Sequence, residues 1–266
     1  MTMRKRPGWV MVLAWCAVAG CAGPQQQRGD STHDSAAPTV GAESPDRTRA
    51  RIHTELAAGY YEVRNLAVAL EETREALRSD ATFGPAYNVA GLVYGALGED
   101  RQAEEAFQRA VKLNPNDSDA NHNYGQFLCQ RKREEEGIRY FLAAVRNPLY
   151  QNPERSYTNA GVCARLRGDN VSAENYFQLA LKSRIAQPQA LFHMAELNFG
   201  RGDYAGAKTY LTRLTQITVP NAEVLWLGVR VERRLGDRNS EASYALQLRN
   251  KFPDSKEARA LATGEN

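Results

Sequence analysis

The feature that most constrains this chain is a repeat of about 34 residues that starts near Arg51. Three segments carry it: AYNVAGLVYGALGEDRQAEEAFQRAVKLNP from Ala86, ANHNYGQFLCQRKREEEGIRYFLAAVRNP from Ala120, and SYTNAGVCARLRGDNVSAENYFQLALKS from Ser156. Phe107, Phe141 and Phe177 are spaced by 34 and 36 residues, and Ala110, Ala144 and Ala180 keep that spacing three positions later. Gly91, Gly125 and Gly161 recur at the same intervals, with Ala195 a further 34 residues on. A period of this length means stacked units of supersecondary structure, none of which buries its apolar face alone.

Each unit reads as two helices. Small residues such as Gly91, Ala103 and Ala110 let the helices of a pair approach closely, while Tyr87, Tyr94 and Phe107 fill the space to the next pair. The intervening turn recurs as Leu97-Gly98-Glu99-Asp100, Arg167-Gly168-Asp169, Arg201-Gly202-Asp203 and Leu235-Gly236-Asp237. Glycine there suits the left-handed residue that ends a helix, and the acid after it suits the start of the next helix. Period and pattern resemble the tetratricopeptide-repeat (TPR) family, which implies an all-α, right-handed superhelix of about six helix-turn-helix repeats. The first unit (about 51–83) has Asn65 near its turn in place of glycine, and the fifth (about 187–218) and sixth (about 221–253) are more degenerate. In the sixth, the second helix reads as one or two residues out of register.

The first twenty residues differ from the rest. Arg4, Lys5 and Arg6 precede an apolar run, Trp9 to Ala19, that is too short for a membrane span and of the right length for a signal-peptide core. Of the 34 basic residues, these three fall in the leader, which leaves 31 to balance 31 acidic ones. A balanced chain carries no electrostatic footprint for nucleic acid or anionic membrane surfaces. Val18-Ala19-Gly20-Cys21 resembles a lipobox, in which the cysteine is diacylated and the chain is cleaved just before it. Ala22 follows where Asp is absent, the default outer-membrane address of Gram-negative lipoproteins. Residues 22–45 hold almost no large apolar side chains and cannot offset the entropy of ordering. A flexible linker of that length spans roughly 25–30 Å. The expected organisation is a signal peptide over 1–20, a lipid-anchored tether over 21–47, a solenoid over 48–256 and a polar tail over 257–266.

Cys16 goes with the leader. Cys129 and Cys163 fall in the folded part, where export would place them in an oxidising compartment that permits pairing. Both also sit inside expected helices of neighbouring repeats, where cysteine commonly serves as a small buried apolar residue, and that role is the favoured one.

Nothing in the sequence assembles into a catalytic constellation. His33 lies in the tether, and His53, His122 and His193 lie on separate first helices without metal-ligand spacing. A phosphate-cradling glycine loop and a nucleophile elbow are both missing. Glu134-Glu135-Glu136 reads as a solvated turn with acid at a helix start. No enzymatic activity, cofactor, metal or small-molecule substrate is expected. A TPR array instead offers a concave face lined by first helices. With Gly91, Gly125 and Gly161 at repeat position 8, positions 2, 5, 9, 12 and 13 face it. They include Ala58 and Tyr61, Asn88 and Leu92, His122 and Gln126, Thr158, Val162 and Leu166, Phe192 and Phe199, and Leu225 and Val229. This set is mostly apolar and lacks the Lys/Arg cluster that clamps a C-terminal carboxylate.

Three further segments narrow the comparison: Asn123-Tyr124-Gly125-Gln126-Phe127-Leu128, the Pro148-Leu149-Tyr150 loop running to Arg155, and Ala242 to Leu248 followed by Phe252-Pro253. With the lipobox and the six units, they resemble the type IV pilus biogenesis lipoproteins of the PilF/PilW family over about residues 50–260. The resemblance implies a pilotin, which brings the pilus secretin to the outer membrane and supports its assembly. It does not extend to Cys129 or to Arg131-Lys132-Arg133. The alternative is an outer-membrane TPR lipoprotein that scaffolds cell-wall hydrolases or outer-membrane protein assembly.

Overall fold

A computed structural model of the chain describes residues 43–184 and 186–264. The basic leader, Cys21 and most of the expected tether lie outside them. The described residues form thirteen α-helices and no strand. Twelve make six antiparallel pairs. These are α1 (Pro45–Glu62) with α2 (Leu66–Ser79), α3 (Gly84–Leu97) with α4 (Asp100–Leu113), and α5 (Ser118–Gln130) with α6 (Glu134–Ala144). They continue with α7 (Pro153–Leu166) and α8 (Asn170–Ser183), α9 (Pro188–Gly200) and α10 (Tyr204–Ile217), and α11 (Ala222–Leu235) and α12 (Arg238–Lys251). Each odd-numbered helix from α1 to α11 packs against the next odd-numbered one as well as against its own partner, and each even-numbered helix also touches the following odd one. The chain is therefore a TPR superhelix whose inner layer is the row of first helices.

One contact recurs along the array. The glycine at repeat position 8 lies under a ring sixteen residues later, so that an added Cβ would stand 2.7 Å from Phe107 at Gly91, 2.5 Å from Phe177 at Gly161 and 2.9 Å from Tyr244 at Gly228. At Gly125 the same construction meets the Gly137 carbonyl oxygen at 2.9 Å and Phe141 at 3.1 Å. The ring serves both sides of its helix. Phe107 closes on Gly91 within its pair and also meets the rings of Tyr124 and Phe127 on α5, at 5.6 and 5.5 Å. Fully burying such a side chain contributes roughly 1.5–3 kcal/mol. The Gly228–Tyr244 pair keeps the same sixteen-residue interval, so the second helix of the sixth unit is in register, not shifted.

The turns follow a single backbone rule. Gly98, Gly168, Gly202 and Gly236 take φ of +76° to +86°, and Asp169, Asp203 and Asp237 then cap the next helix by accepting from the amides of Ser172, Gly206 and Ser240. In the first and third units the same position is Arg64 (φ +61°) and Lys132 (φ +60°). Arg64, and not Asn65, is thus the residue that stands in for glycine. The neighbours of Lys132 hold its turn in place. Arg131 donates to Asp100 at 3.0 Å and stacks on Phe127, and Arg133 bridges Glu104 at 2.6 Å and Glu136 at 2.7 Å. The basic run therefore ties α4 to the α5–α6 turn.

Both ends of the array depart from the boundaries expected from sequence. Ser44 accepts from the Arg47 amide and Pro45 occupies the first turn, so α1 starts inside the segment read as tether. At the other end, α13 (Lys256–Thr263) occupies most of the segment read as a polar tail. Ser255 caps it, and Ala258 and Leu261 pack on Leu225, Trp226 and Leu248, closing the last pair as another first helix would.

Candidate protein-binding groove

The inner layer sorts the expected groove residues by repeat position. Position 5 faces the groove only in the fifth unit, where Phe192 stays partly exposed. Elsewhere it packs between neighbouring first helices, and Asn88 (8% exposed), His122 (2%), Thr158 (1%) and Leu225 (0%) are all buried there. Asn88 accepts from Asn123 of α5 at 3.1 Å. Leu225 lies beneath α13, and Val229 is likewise wholly buried. These five of the expected groove residues (Asn88, His122, Thr158, Leu225 and Val229) therefore belong to the core, because first helices lie side by side and each covers part of the last.

His122 shows the consequence for chemistry. Its Nδ1 lies 2.8 Å from the Ser156 hydroxyl on α7, which in turn donates to Tyr150 at 3.3 Å. Burial, reinforced by nearby Arg155, pushes the imidazole down to about 4. It is neutral at ordinary pH. Ser156 is fully buried and no carboxylate orients the ring, so this Ser–His contact joins helices and has no route to a substrate. Among the described residues no three His, Cys, Asp or Glu side chains come together as a metal site, and no helix is long and apolar enough to cross a membrane.

In the first five units the residues at positions 9, 12 and 13 remain at least partly accessible. Tyr61, Leu92, Asn123, Gln126 and Gln130 line one depression of about 250 Å³ across α1, α3 and α5. Gln126 and Gln130 continue into a second, of about 210 Å³, with Asn159, Val162 and Leu166 of α7. The result is a strip of apolar side chains interleaved with amide groups, with Arg64 and Arg131 also lining the first depression. On its floor Cys129 of α5 is bonded to Cys163 of α7, with their Cα atoms 5.9 Å apart. The pairing replaces the apolar role favoured from sequence. Residues 34 apart, one repeat length, fall on adjacent first helices, which is the proximity a disulfide needs.

Farther along, the groove changes character. Phe192 and Phe199 are partly exposed, but their surroundings are charged: Arg165, Glu196, Arg201 and Arg230 line the depressions that contain them. Burial opposes ionisation of Glu196, yet hydrogen bonds from His193 and Arg165 hold it below the usual carboxylate range. Arg165 occupies position 12 and Glu196 position 9, so both lay in the register that selected the apolar residues. Extending that register to every repeat would have found them.

A solenoid of this kind, with its accessible inner face and no catalytic cluster among the described residues, is a protein-binding TPR scaffold. Tetratricopeptide-repeat models match residues 84–117, 106–139 and 189–217. The chain is 30% identical over 205 residues to the type IV pilus assembly protein PilF of Pseudomonas aeruginosa, covering 77% of this chain and 81% of that one. The crystal structure of PilW, a widely conserved type IV pilus biogenesis factor, superposes with TM-score 0.72 at 29% identity, over 80% of this chain and 98% of that chain. The Pseudomonas aeruginosa PilF structure gives 0.76 at 27% identity, over 84% of this chain and all of the other. The chain belongs to the PilF/PilW family of TPR proteins of type IV pilus biogenesis.

Proposed function

We propose that this protein is a lipid-anchored pilotin of the outer membrane, which holds a segment of the type IV pilus secretin in the first half of its groove. The observation that carries the reading is the continuous strip Tyr61, Leu92, Gln126, Val162 and Leu166 on successive first helices of a PilF/PilW-family chain. An amphipathic or extended segment laid there buries its apolar side chains on Leu92, Val162 and Leu166. The amides of Asn123, Gln126, Gln130 and Asn159 meet its backbone polar groups, which would otherwise be buried without partners. The Cys129–Cys163 bond fits a protein exported to an oxidising compartment. Cys21, outside the described residues, supplies the lipid, and the residues after it form the tether that sets the array off the periplasmic face of the membrane.

The test is a deletion strain complemented with the full chain. Secretin multimers at the outer membrane and surface pili should vanish on deletion and return on complementation. The secretin should also co-purify with the protein from detergent-solubilised outer membrane. Intact pili with defective cell-wall hydrolysis or outer-membrane protein assembly would refute the pilotin reading in favour of another scaffold role.

A further inference from the structure

The second half of the groove contains a cation that is near Glu196 but forms no ion pair of its own. Two adjoining depressions of about 530 and 570 Å³ share Arg165, Glu196, Leu227 and Arg230. The other basic residues that line them are already engaged: Arg165 with Glu196, Arg201 with Glu174 at 2.7 Å, and Lys256 with Glu223 and Glu257 at 3.8 and 3.6 Å. Arg230 has no ion pair or hydrogen bond among the described residues, and its buried Nε has no acceptor. Its guanidinium instead lies 4.3 Å from the centre of the Phe199 ring. Stacking fixes the plane of the group but uses none of its five donors. A half-buried guanidinium centred over an aromatic ring, with no ion pair of its own, is placed to receive a carboxylate on its terminal nitrogens.

The surroundings limit the ligand. Glu174, Glu196, Glu223 and Glu257 line the same depressions and would repel a polyanion, which excludes nucleic acid and anionic lipid. The four basic and four acidic side chains of the lining balance, and Arg230 is the basic one without an ion pair. Beside it, Phe192 and Trp226 give the second depression aromatic lining. The two depressions diverge from Arg230, one toward Asn170 and Val171 of α8 and the other toward Lys256 and Ala260 of α13. A chain lying in both continues past the guanidinium in each direction and does not end on it.

We propose that this half of the groove is a second docking site, for an extended segment of a protein partner in which a single Asp or Glu side chain stands next to an aromatic residue. The carboxylate pairs with Arg230 and the ring enters between Phe192 and Trp226. The site is chemically distinct from the apolar strip and does not depend on what occupies that strip.

The full chain is titrated with fluorescent nonapeptides of Ala, Gly and Ser, blocked at both ends, that carry a central Glu-Phe, Gln-Phe or Glu-Ala. Glu-Phe should bind most tightly, with Gln-Phe weaker by about tenfold or more, the loss expected for a hydrogen-bonded charge pair. Arg230→Gln, with helical content unchanged by circular dichroism, should abolish the preference for Glu. The strip variant Leu92→Glu/Val162→Glu should keep it. No binding to the unaltered protein, equal affinity for Glu-Phe and Gln-Phe, or a preference that survives Arg230→Gln would each overturn the proposal. Recovery of binding by a Gln-Phe peptide with a free C-terminus would replace the side-chain carboxylate with a chain end and overturn it in that form. The Glu-versus-Gln comparison on the unaltered protein does not rely on any variant folding.

Discussion

The ring of Phe107 lies against Gly91 so closely that a Cβ on the glycine would stand 2.7 Å from Cδ1 and Cε1. Sixteen residues separate the two, and the same interval joins Gly125 to Phe141, Gly161 to Phe177 and Gly228 to Tyr244. The other two units have Ala57 with Thr73 and Ala195 with Leu211, where a smaller or more flexible side chain replaces the ring and a methyl group replaces the hydrogen. Volume is thus traded across each pair, as close-packed interiors require.

This contact predicts opposite signs for one kind of substitution. Gly91→Ala should destabilise by about 1–3 kcal/mol, because overpacking against a ring held between three helices outweighs the better helix propensity of alanine. Gly59, within α1, has nothing within 4 Å of an added Cβ, and Gly59→Ala should stabilise by about 0.5–1 kcal/mol. Urea unfolding of both variants checks the pair, and a stabilised Gly91→Ala would show that the ring moves aside at little cost.

The Cys129–Cys163 bond closes a 34-residue loop between α5 and α7. Removing it with Cys129→Ser/Cys163→Ser, or by reduction, should lower stability by about 3–4 kcal/mol, chiefly by freeing the unfolded chain. Denaturation of the oxidised and reduced protein measures this directly. Coincident curves would mean that the stacked repeats already hold the unfolded ensemble as tightly as the bond does.

His122 makes stability pH-dependent. Its folded value of about 4 lies below the ordinary 6.5. As pH falls through 6.5 the unfolded chain takes up a proton that the folded protein refuses until about 4. Stability present above 6.5 is therefore lost across that window, by about 3 kcal/mol in total. Urea unfolding at pH 7.5 and 4.5 should show a larger drop for the natural protein than for His122→Gln. Parallel drops in the two would assign the acid sensitivity to other groups.

The lipid site and the groove should fail differently. Leu92→Glu/Val162→Glu puts carboxylates on the apolar strip, where their desolvation without partners is costly, so secretin capture should fall while the protein stays at the outer membrane. Cys21→Ser should leave capture by the purified protein intact, remove labelling by a clickable fatty acid and release the protein from the membrane. Fractionation, co-precipitation and multimer level on both variants, after confirming helical content, decide between them. Normal capture by the groove variant would place the partner on another face.

The all-α class, the repeat length, the recurrence of small residues and rings, and the turn glycines were legible in the residue string, while the closing of each ring on the glycine sixteen residues before it came from the structure. Each legible feature is a local requirement: a helix pair needs small residues where it crosses and a left-handed residue where it turns, and both recur in the residue string. Position 5 was different. Asn88, His122 and Leu225 share its spacing with accessible neighbours, and only the stacking of one first helix on the next made them core. The same stacking joined Cys129 to Cys163 and let α13 cover Leu225. It also left Arg230 over Phe199, near Glu196 but outside any ion pair. Periodicity along one helix states which residues share a face, but what lies opposite that face depends on the superhelical rise from unit to unit, which belongs to the whole array and to no single repeat.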